Sequence, residues 1–451
     1  MLGLALRSLR KRASAFAASF LAMLLGATMV MGFASMLDTA EGSGATGAAR
    51  ETLTTMATVV GGWGLLLVVF AVASTLTLSV RQRAAEMALL KSAGATPGQL
   101  ARMIVGEAAG LALVAALAAI APAIAAGRAL LGLLHDTGQV PAEVGYHFGP
   151  AALSIGIGVT LVSAVAAALI AARRAVRGRA AESMAAAAAD DARLSKKRIV
   201  FAALFLLAAA SEAIVTVTVM DGSSDAMATS GQADIFAGIG LALLAPAIVR
   251  RAAALAAGPL RALGGAAGDL AAATMRRRTG ALASAVTPVV LFVGTAVGTL
   301  YLQATENAAM DAAGLAKTPE DKSIETLNFV VIGMVVLFTA IMLVNTLIAA
   351  TAHRGREFGQ TRLAGATPRQ VLTAVALESA VLTVTGVVLG TVASVFTIVP
   401  FGLARRDSAV PDGDVRTYAA VVALAAVLTG LTAFGATRRT IRVPAVEAAL
   451  R

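Results

Sequence analysis

Ten apolar stretches, separated by short polar segments, set the rhythm of this chain. They fall at approximately 15–37, 58–80, 103–134, 150–172, 199–220, 233–249, 282–302, 327–350, 371–400 and 417–437. A helix needs roughly 20 apolar residues to cross the hydrocarbon core of a bilayer, and every stretch meets or approaches that length. The pattern predicts an all-α polytopic membrane protein with about ten transmembrane helices. Arg7, Arg10, Lys11 and Arg12 precede the first run, as in a secretory signal. That run is longer than a signal core, however, and an equivalent stretch follows Arg276-Arg-Arg278 inside the chain, so it is expected to stay as a membrane helix.

The polar segments give orientation. With the N-terminus inside and the spans alternating, the inside segments hold 30 of the 37 Lys and Arg residues. The outside loops hold only Arg50, Arg128, Lys317, Lys322, Arg405, Arg406 and Arg416. Such a bias places both termini in the cytoplasm. The outside loops run to about 12–25 residues, too short for a folded domain of their own. Two are acidic, one through Asp221, Asp225 and Asp234, the other through Glu306, Asp311, Glu320, Asp321 and Glu325. They are expected to be solvated connections.

One polar segment is written twice. The first copy runs Arg83-Ala-Ala-Glu86 to Ala93-Gly-Ala-Thr-Pro97, Gln99 and Glu107; the second runs Arg354-Gly-Arg-Glu357 to Ala364-Gly-Ala-Thr-Pro368, Gln370 and Glu378. A constant offset of 271 superimposes them without a gap. The likeness extends outward. Arg10-Lys-Arg12 corresponds to Arg276-Arg-Arg278, and an Arg-Arg-x-x-Arg-x-x-Ala-x-Glu pattern recurs from Arg173 to Glu182 and from Arg438 to Glu447. A four-helix unit, 1–187, is thus repeated as 266–451, with a linker and two-helix insert at 188–265 between them. An even number of spans per unit gives both copies the same orientation, a parallel internal repeat.

Composition narrows the function classes. A mean hydropathy of +0.81, with 58% apolar and only 14% charged residues, is far from the balance of a soluble domain. A net charge of +11 raises the question of nucleic acid, but the cations serve as loop anchors and 4% aromatics leave little to stack on bases. No nucleic-acid partner is expected. Cysteine is absent, and His135, His147 and His353 are scattered, so neither disulfides nor a metal site is expected. Heavy alanine and arginine usage points to a GC-rich bacterial genome and a bacterial cell membrane.

The repeated segment reads as a short amphipathic helix, a turn and a new helix. Thr96 and Thr367 suit the N-cap, Pro97 and Pro368 the first turn, and Gly94 and Gly365 the left-handed end of the preceding helix. Such a hairpin fits a groove on a partner as well as it fits a stiff connection without one. Four polar residues sit within or beside spans: Glu107 and Glu378 at equivalent depth, within reach of a hairpin arginine, Glu212 in span 5 and Asn345 in span 8. Intramembrane acids cost on the order of 2.5–3.5 kcal/mol, so an ion pair is the default for the first two, packing or a proton role for Glu212, and an interhelical hydrogen bond for Asn345. Gly106-x-x-x-Gly110 permits close helix contact. No Gly-x-x-x-x-Gly-Lys-Ser/Thr loop is present to cradle phosphates, so the chain is not expected to be an enzyme.

Arg-x-x-Glu, Gly-Ala-Thr-Pro-x-Gln and a following Glu, set between membrane helices and closed by an Arg-rich Ala-x-Glu tail, resemble the FtsX-like permease family. These are the membrane subunits of type VII, mechanotransmitting ABC transporters, and the layout is similar to their duplicated ten-span members. The resemblance implies that the hairpins dock as coupling helices on a cytoplasmic ABC ATPase, which itself would bind ATP and Mg. It implicates Arg83, Glu86, Gly94, Ala95, Thr96 and Pro97, and equally Arg354, Glu357, Gly365, Ala366, Thr367 and Pro368. Loops 38–57 and 303–326 are too short for the large extracytoplasmic domain many members carry. The expected role is a permease subunit with an ATPase dimer as partner, moving a hydrophobic or amphiphilic compound (drug, lipid or peptide) from or through membrane lipid. A proton-coupled transporter using Glu212, Glu107 and Glu378, or a non-transporting regulator of a cell-envelope process, are the alternatives.

Overall fold

The computed structural model describes residues 13–61, 92–177, 195–221, 226–314 and 354–450, together with single positions between 69 and 90 and between 325 and 343. Eleven helices and no strand are described: α1 (Ala13–Gly42), α2 (Gly47–Thr55), α3 (Pro97–Asp136), α4 (Pro150–Arg177), α5 (Lys196–Thr218), α6 (Ala226–Arg277), α7 (Thr279–Ala312), α8 (Gly355–Leu363), α9 (Pro368–Arg406), α10 (Val415–Ile441) and α11 (Ala445–Leu450). A single π-helical turn, Met56–Val60, continues α2. Eight of the described helices are long and apolar enough to cross a membrane. They account for eight of the ten expected spans; the other two, 58–80 and 327–350, lie largely outside the described residues. The protein is an all-α, multi-pass membrane protein.

Several helices outrun the spans expected of them. Span 3 is the middle of the 40-residue α3, span 9 lies within the 39-residue α9, and span 6 is only part of α6, whose 52 residues are two helices joined at a non-helical Gly265 (φ 51°, ψ −136°). At 1.5 Å per residue the first two are about 60 Å long, twice the thickness of a hydrocarbon core.

The chain forms two compact units, 1–187 with 317–341, and 188–316 with 342–451. In the first, α1, α3 and α4 pack pairwise. A stripe of small side chains on α3, including Ala108, Ala112, Ala115, Ala119 and Ala123, is buried against α1 and α4. Asp38 of α1 caps α4: the backbone N–H groups of Ala151 and Ala152 donate to its two carboxylate oxygens at 3.0 and 2.8 Å. An anion is well placed there, against the positive end of the helix dipole. Part of the expected span 8 belongs to this unit. The Gln139 amide donates to Thr326 at 2.7 Å, and Val330 packs beside Leu53, Leu134 and Val140.

In the second unit α9 is central, packed against α5, α6, α7 and α10. The α7–α9 crossing is tight because glycines face each other. A Cβ added at Gly390 would lie 2.6 Å from the Val293 Cβ and 2.9 Å from the Gly294 nitrogen, and one at Gly386 would lie 2.6 Å from Val289. The small-residue contact anticipated at Gly106 is not made among the described residues, since a Cβ there would meet nothing within 4 Å. On α5, Phe201, Leu204, Leu207 and Ile214 are all more than half exposed, the apolar outer face expected of a helix bathed in lipid.

Candidate functional site

Both hairpins can be followed from residue chemistry. The second opens with α8, nine residues whose Phe358 and Gly359 are buried. It ends in a Schellman turn: the Ala366 N–H donates to the Thr361 carbonyl and the Gly365 N–H to the Arg362 carbonyl, both at 3.1 Å. Gly365 takes φ of 101°, the left-handed region open to glycine. Thr367 then starts α9 with a reciprocal box. The Gln370 N–H donates to Thr367 Oγ1 at 3.3 Å and the Thr367 N–H to Gln370 Oε1 at 2.8 Å, with Pro368 at the first helical position. In the first hairpin the described bonds follow the same pattern. Ala95 N–H reaches the Leu90 carbonyl at 2.9 Å, Gly94 has φ of 91°, and Thr96 and Gln99 exchange bonds of 3.0 and 3.3 Å ahead of α3. Gly94, Thr96 and Pro97, like Gly365, Thr367 and Pro368, are exposed, and Ala95 and Ala366 half-buried. Arg83 and Glu86 lie outside the described residues.

Beneath the second hairpin is an ion network. The Arg354 guanidinium grips Glu378 of α9 in a fork, Nη1 to Oε2 at 2.6 Å and Nη2 to Oε1 at 3.0 Å, and both side chains are buried. Arg354 also reaches Glu357 at 3.4 Å, which in turn meets Arg278 at 3.3 Å. The Arg354 guanidinium carbon lies 4.7 Å from the centre of the Phe358 ring. Burial alone would push Arg354 down; the carboxylates of Glu378 and Glu357 more than reverse it, and it stays above its ordinary value. Arg362, one turn on, donates through Nη1 to the carbonyls of Ile441 and Val443 at 2.9 and 2.8 Å, satisfying the open end of α10. Glu107 is buried at the position on α3 that matches Glu378.

Other candidates scatter. Glu212 is half-buried on α5, far along the chain from the hairpins and, among the described residues, in no ion pair. Asn345 lies outside the described residues. Glu306, Asp311 and Asp234, expected in outside loops, are instead built into helices. Glu306 belongs to α7 and forms a fork with Arg405 of α9 at 2.8 and 2.6 Å. Asp234 is buried in α6, against Gly294 and Gly298 of α7. Its Oδ1 has no hydrogen-bond partner among the described residues. Neighbouring hydroxyls continue the polar patch: Thr397 donates to the Ser230 carbonyl at 2.7 Å, and Thr216 meets Thr229 at 2.8 Å. The missed signal was the pair of glycines four apart on α7, which leaves room for a polar side chain from a third helix.

A duplicated helical membrane unit, each copy presenting a rigid capped hairpin at the foot of a long helix, defines a permease-type membrane subunit. The chain belongs to the FtsX-like permease family. The family's description, FtsX-like permease C-terminal, matches residues 58–179 and again 329–445, one match per repeat and together just over half the chain. No curated protein matches it. Members are membrane subunits of ABC systems, partnered by a cytoplasmic ABC ATPase.

Proposed function

We propose that the chain is the permease subunit through which a separate ATPase dimer drives the export or extraction of a hydrophobic or amphiphilic compound. One observation carries the reading. Each hairpin is fixed by a Schellman turn and a capping box to a helix of 39 or 40 residues, so a push on the hairpin moves a long rigid rod rather than a loop. In this reading both termini and both hairpins face the cytoplasm, ATP and Mg are bound by the ATPase, and the units 1–187 and 266–451 each receive one ATPase subunit, the insert 188–265 lying between them in sequence. The commitment of Glu378 to Arg354 supports this over a proton-coupled mechanism, because a carboxylate held in a buried fork is poorly placed to release and rebind a proton.

The hairpin tips offer apolar anchors: Leu89 is 70% exposed and Leu363 57%. The test is co-purification, in detergent, of the full chain with ATPases encoded by the same genome, comparing wild type with a Leu89→Asp/Leu363→Asp variant. Retention by the wild type and loss by the variant is expected. A wild type that elutes as a folded protein and retains no ATPase overturns the reading. Charge reversal at Glu357 is a poorer probe, since it also breaks the pairs with Arg278 and Arg354.

A further inference from the structure

Three helices of the second unit meet around one carboxyl. Asp234 of α6 is only 3% exposed, and it lies in the hollow that Gly294 and Gly298 leave on α7. A Cβ added at Gly294 would sit 3.1 Å from Asp234 Oδ1 and 3.4 Å from the Gly390 carbonyl oxygen of α9. One added at Gly298 would sit 3.4 Å from Asp234 Cγ and 3.7 Å from Thr397 Cβ. The orphan Oδ1 and the Gly390 carbonyl therefore border the same small space. Thr295 of α7 hydrogen-bonds the carboxyl, and Thr397 of α9 donates to the carbonyl of Ser230, one turn back along α6. Every contact is a hydroxyl, a carbonyl or a bare glycine backbone.

Charge is sparse on the helices packed around it. On α5, Ala209 clusters with Ala237 and Thr216 meets Thr229, which brings Glu212, a second acid, close to the level of Asp234. On α7, Tyr301 and Glu306 stand about one and two turns beyond Gly298, and Glu306 is taken by Arg405 of α9. The other charged group of α9 on that stretch, Glu378, is taken by Arg354. Along α6 the first charge after Asp234 is Arg250, 16 residues or about 24 Å on. Among the described residues no cation pairs with Asp234. An ionised carboxylate here has lost its water and gained no counter-charge, whereas the neutral acid loses far less. A proton also changes what Oδ1 needs, because a protonated carboxyl is a donor, and a helix carbonyl keeps a second lone pair to receive it. One carboxylate among hydroxyls is too little charge for a divalent cation; a proton requires no ligand shell.

We propose that Asp234 is a proton-binding site and the latch of the two-helix insert. While α6 is docked on the α7–α9 crossing the carboxyl holds a proton, with the Oδ1 hydroxyl donated to the Gly390 carbonyl. When the crossing opens and water enters, the O–H bond breaks, the proton passes to water and the carboxylate stays solvated. Docking of the insert and proton uptake are then one equilibrium. Only the docked state binds the proton, so falling pH holds α6 in place and rising pH loosens it. The glycines of α7 and α9 make the site, since a side chain at Gly294 would push the carboxyl out of the hollow. This goes beyond the coupling reading, which works through the hairpins and asks nothing of Asp234.

The absence of cysteine makes the test clean. Full-length protein carrying Gln232→Cys on α6 and Val395→Cys on α9, both exposed positions, is spin-labelled in phosphatidylcholine nanodiscs, and the distance between labels is measured from acidic to alkaline pH. Infrared spectra of the unlabelled protein read the C=O stretch of a protonated carboxyl, which a carboxylate lacks. The expected result is such a band at neutral pH, missing in Asp234→Asn. Its loss at alkaline pH should accompany a longer label distance whose population rises at least threefold. Asp234→Asn, neutral at every pH, should keep the short distance throughout. Absence of the band at neutral pH overturns the proposal, as does a distance that answers to pH alike in wild type and Asp234→Asn. Closure that requires sodium at fixed pH also overturns it, because Asp234 would then be a cation ligand. Should Asp234→Asn fail to fold, carbon-13 labelling of aspartate in the unsubstituted chain still decides, through whether a protonated aspartate band is present and titrates with the distance. No ATPase is present, so failure of the coupling reading leaves this result intact.

Discussion

The two copies of the repeat agree at their hairpins and part company in their helix crossings. Offset by 271, the glycine turns, threonine caps and glutamine boxes of the two hairpins coincide among the described residues. The same offset carries Gly386 and Gly390 of α9 onto Ala115 and Ala119 of α3. In the first unit these positions are closed by side chains, with Ala115 and Ala119 fully buried. In the second unit the glycines bring two backbones together and open a face for Asp234 of the insert. The difference teaches that the second copy was fitted to receive α5 and α6, and the first was not. The hairpin is a local device that both copies keep; the crossing answers to what is packed upon it.

The sharpest way to break the comparison is at the ion fork. Arg354→Ala leaves Glu378 buried without its cation and is expected to cost about 3–5 kcal/mol, read as a loss of thermal stability of the detergent-solubilised protein. Arg83→Ala should match it, because Arg83 and Glu107 hold the same two positions in the first copy; a Tm unchanged by Arg83→Ala would show that the copies differ here too. Next in size is Gly390→Ala, expected to destabilise by about 1–3 kcal/mol because the added methyl meets Val293 and backbone. The reciprocal Ala119→Gly should cost about 1 kcal/mol through backbone freedom alone. Equal effects from the two would deny that the crossings are built differently.

Smaller effects sharpen the likeness. Thr96→Ala and Thr367→Ala each remove one N-cap and are expected to cost about 1 kcal/mol apiece, additively, since the two boxes share no partner; a marked inequality in Tm would mean that one cap is redundant. Smallest is Arg362→Lys. The first copy already has Lys91 at this position, and an ammonium can keep at least one of the two carbonyl contacts that Arg362 Nη1 makes, so the loss should stay below about 1 kcal/mol. A full unfolding by this change would make the Arg362 clamp on α10 a feature on which only the second copy depends.

Much of this was legible in the chain. Caps and Schellman turns are decided within six residues, so Thr96, Pro97 and Gly94 announce them, and lipid as solvent turns each apolar run into a helix. Asp234 was not legible: its flanking polar residues looked like a loop, and only the glycines of α7, some 60 residues on, make a place for it. Glu306 was misplaced for the same reason, since its partner Arg405 comes a hundred positions later. The residues 58–80 and 327–350, where the family match begins in each copy, are where the described structure adds least.

The sequence by itself determined the helical, membrane-spanning class, the duplication and the chemistry of each hairpin, because backbone satisfaction in lipid and capping at helix ends are short-range demands. Only the tertiary structure decided that Arg354 is the arginine Glu378 receives, that Asp234 is buried, that α6 turns aside at its end, and that part of the second copy's chain, 317–341, belongs with the first unit. These rest on which helices lie together, and in an alanine-rich chain many faces are smooth enough to pack; a few glycines and paired charges, far apart in sequence, select among them.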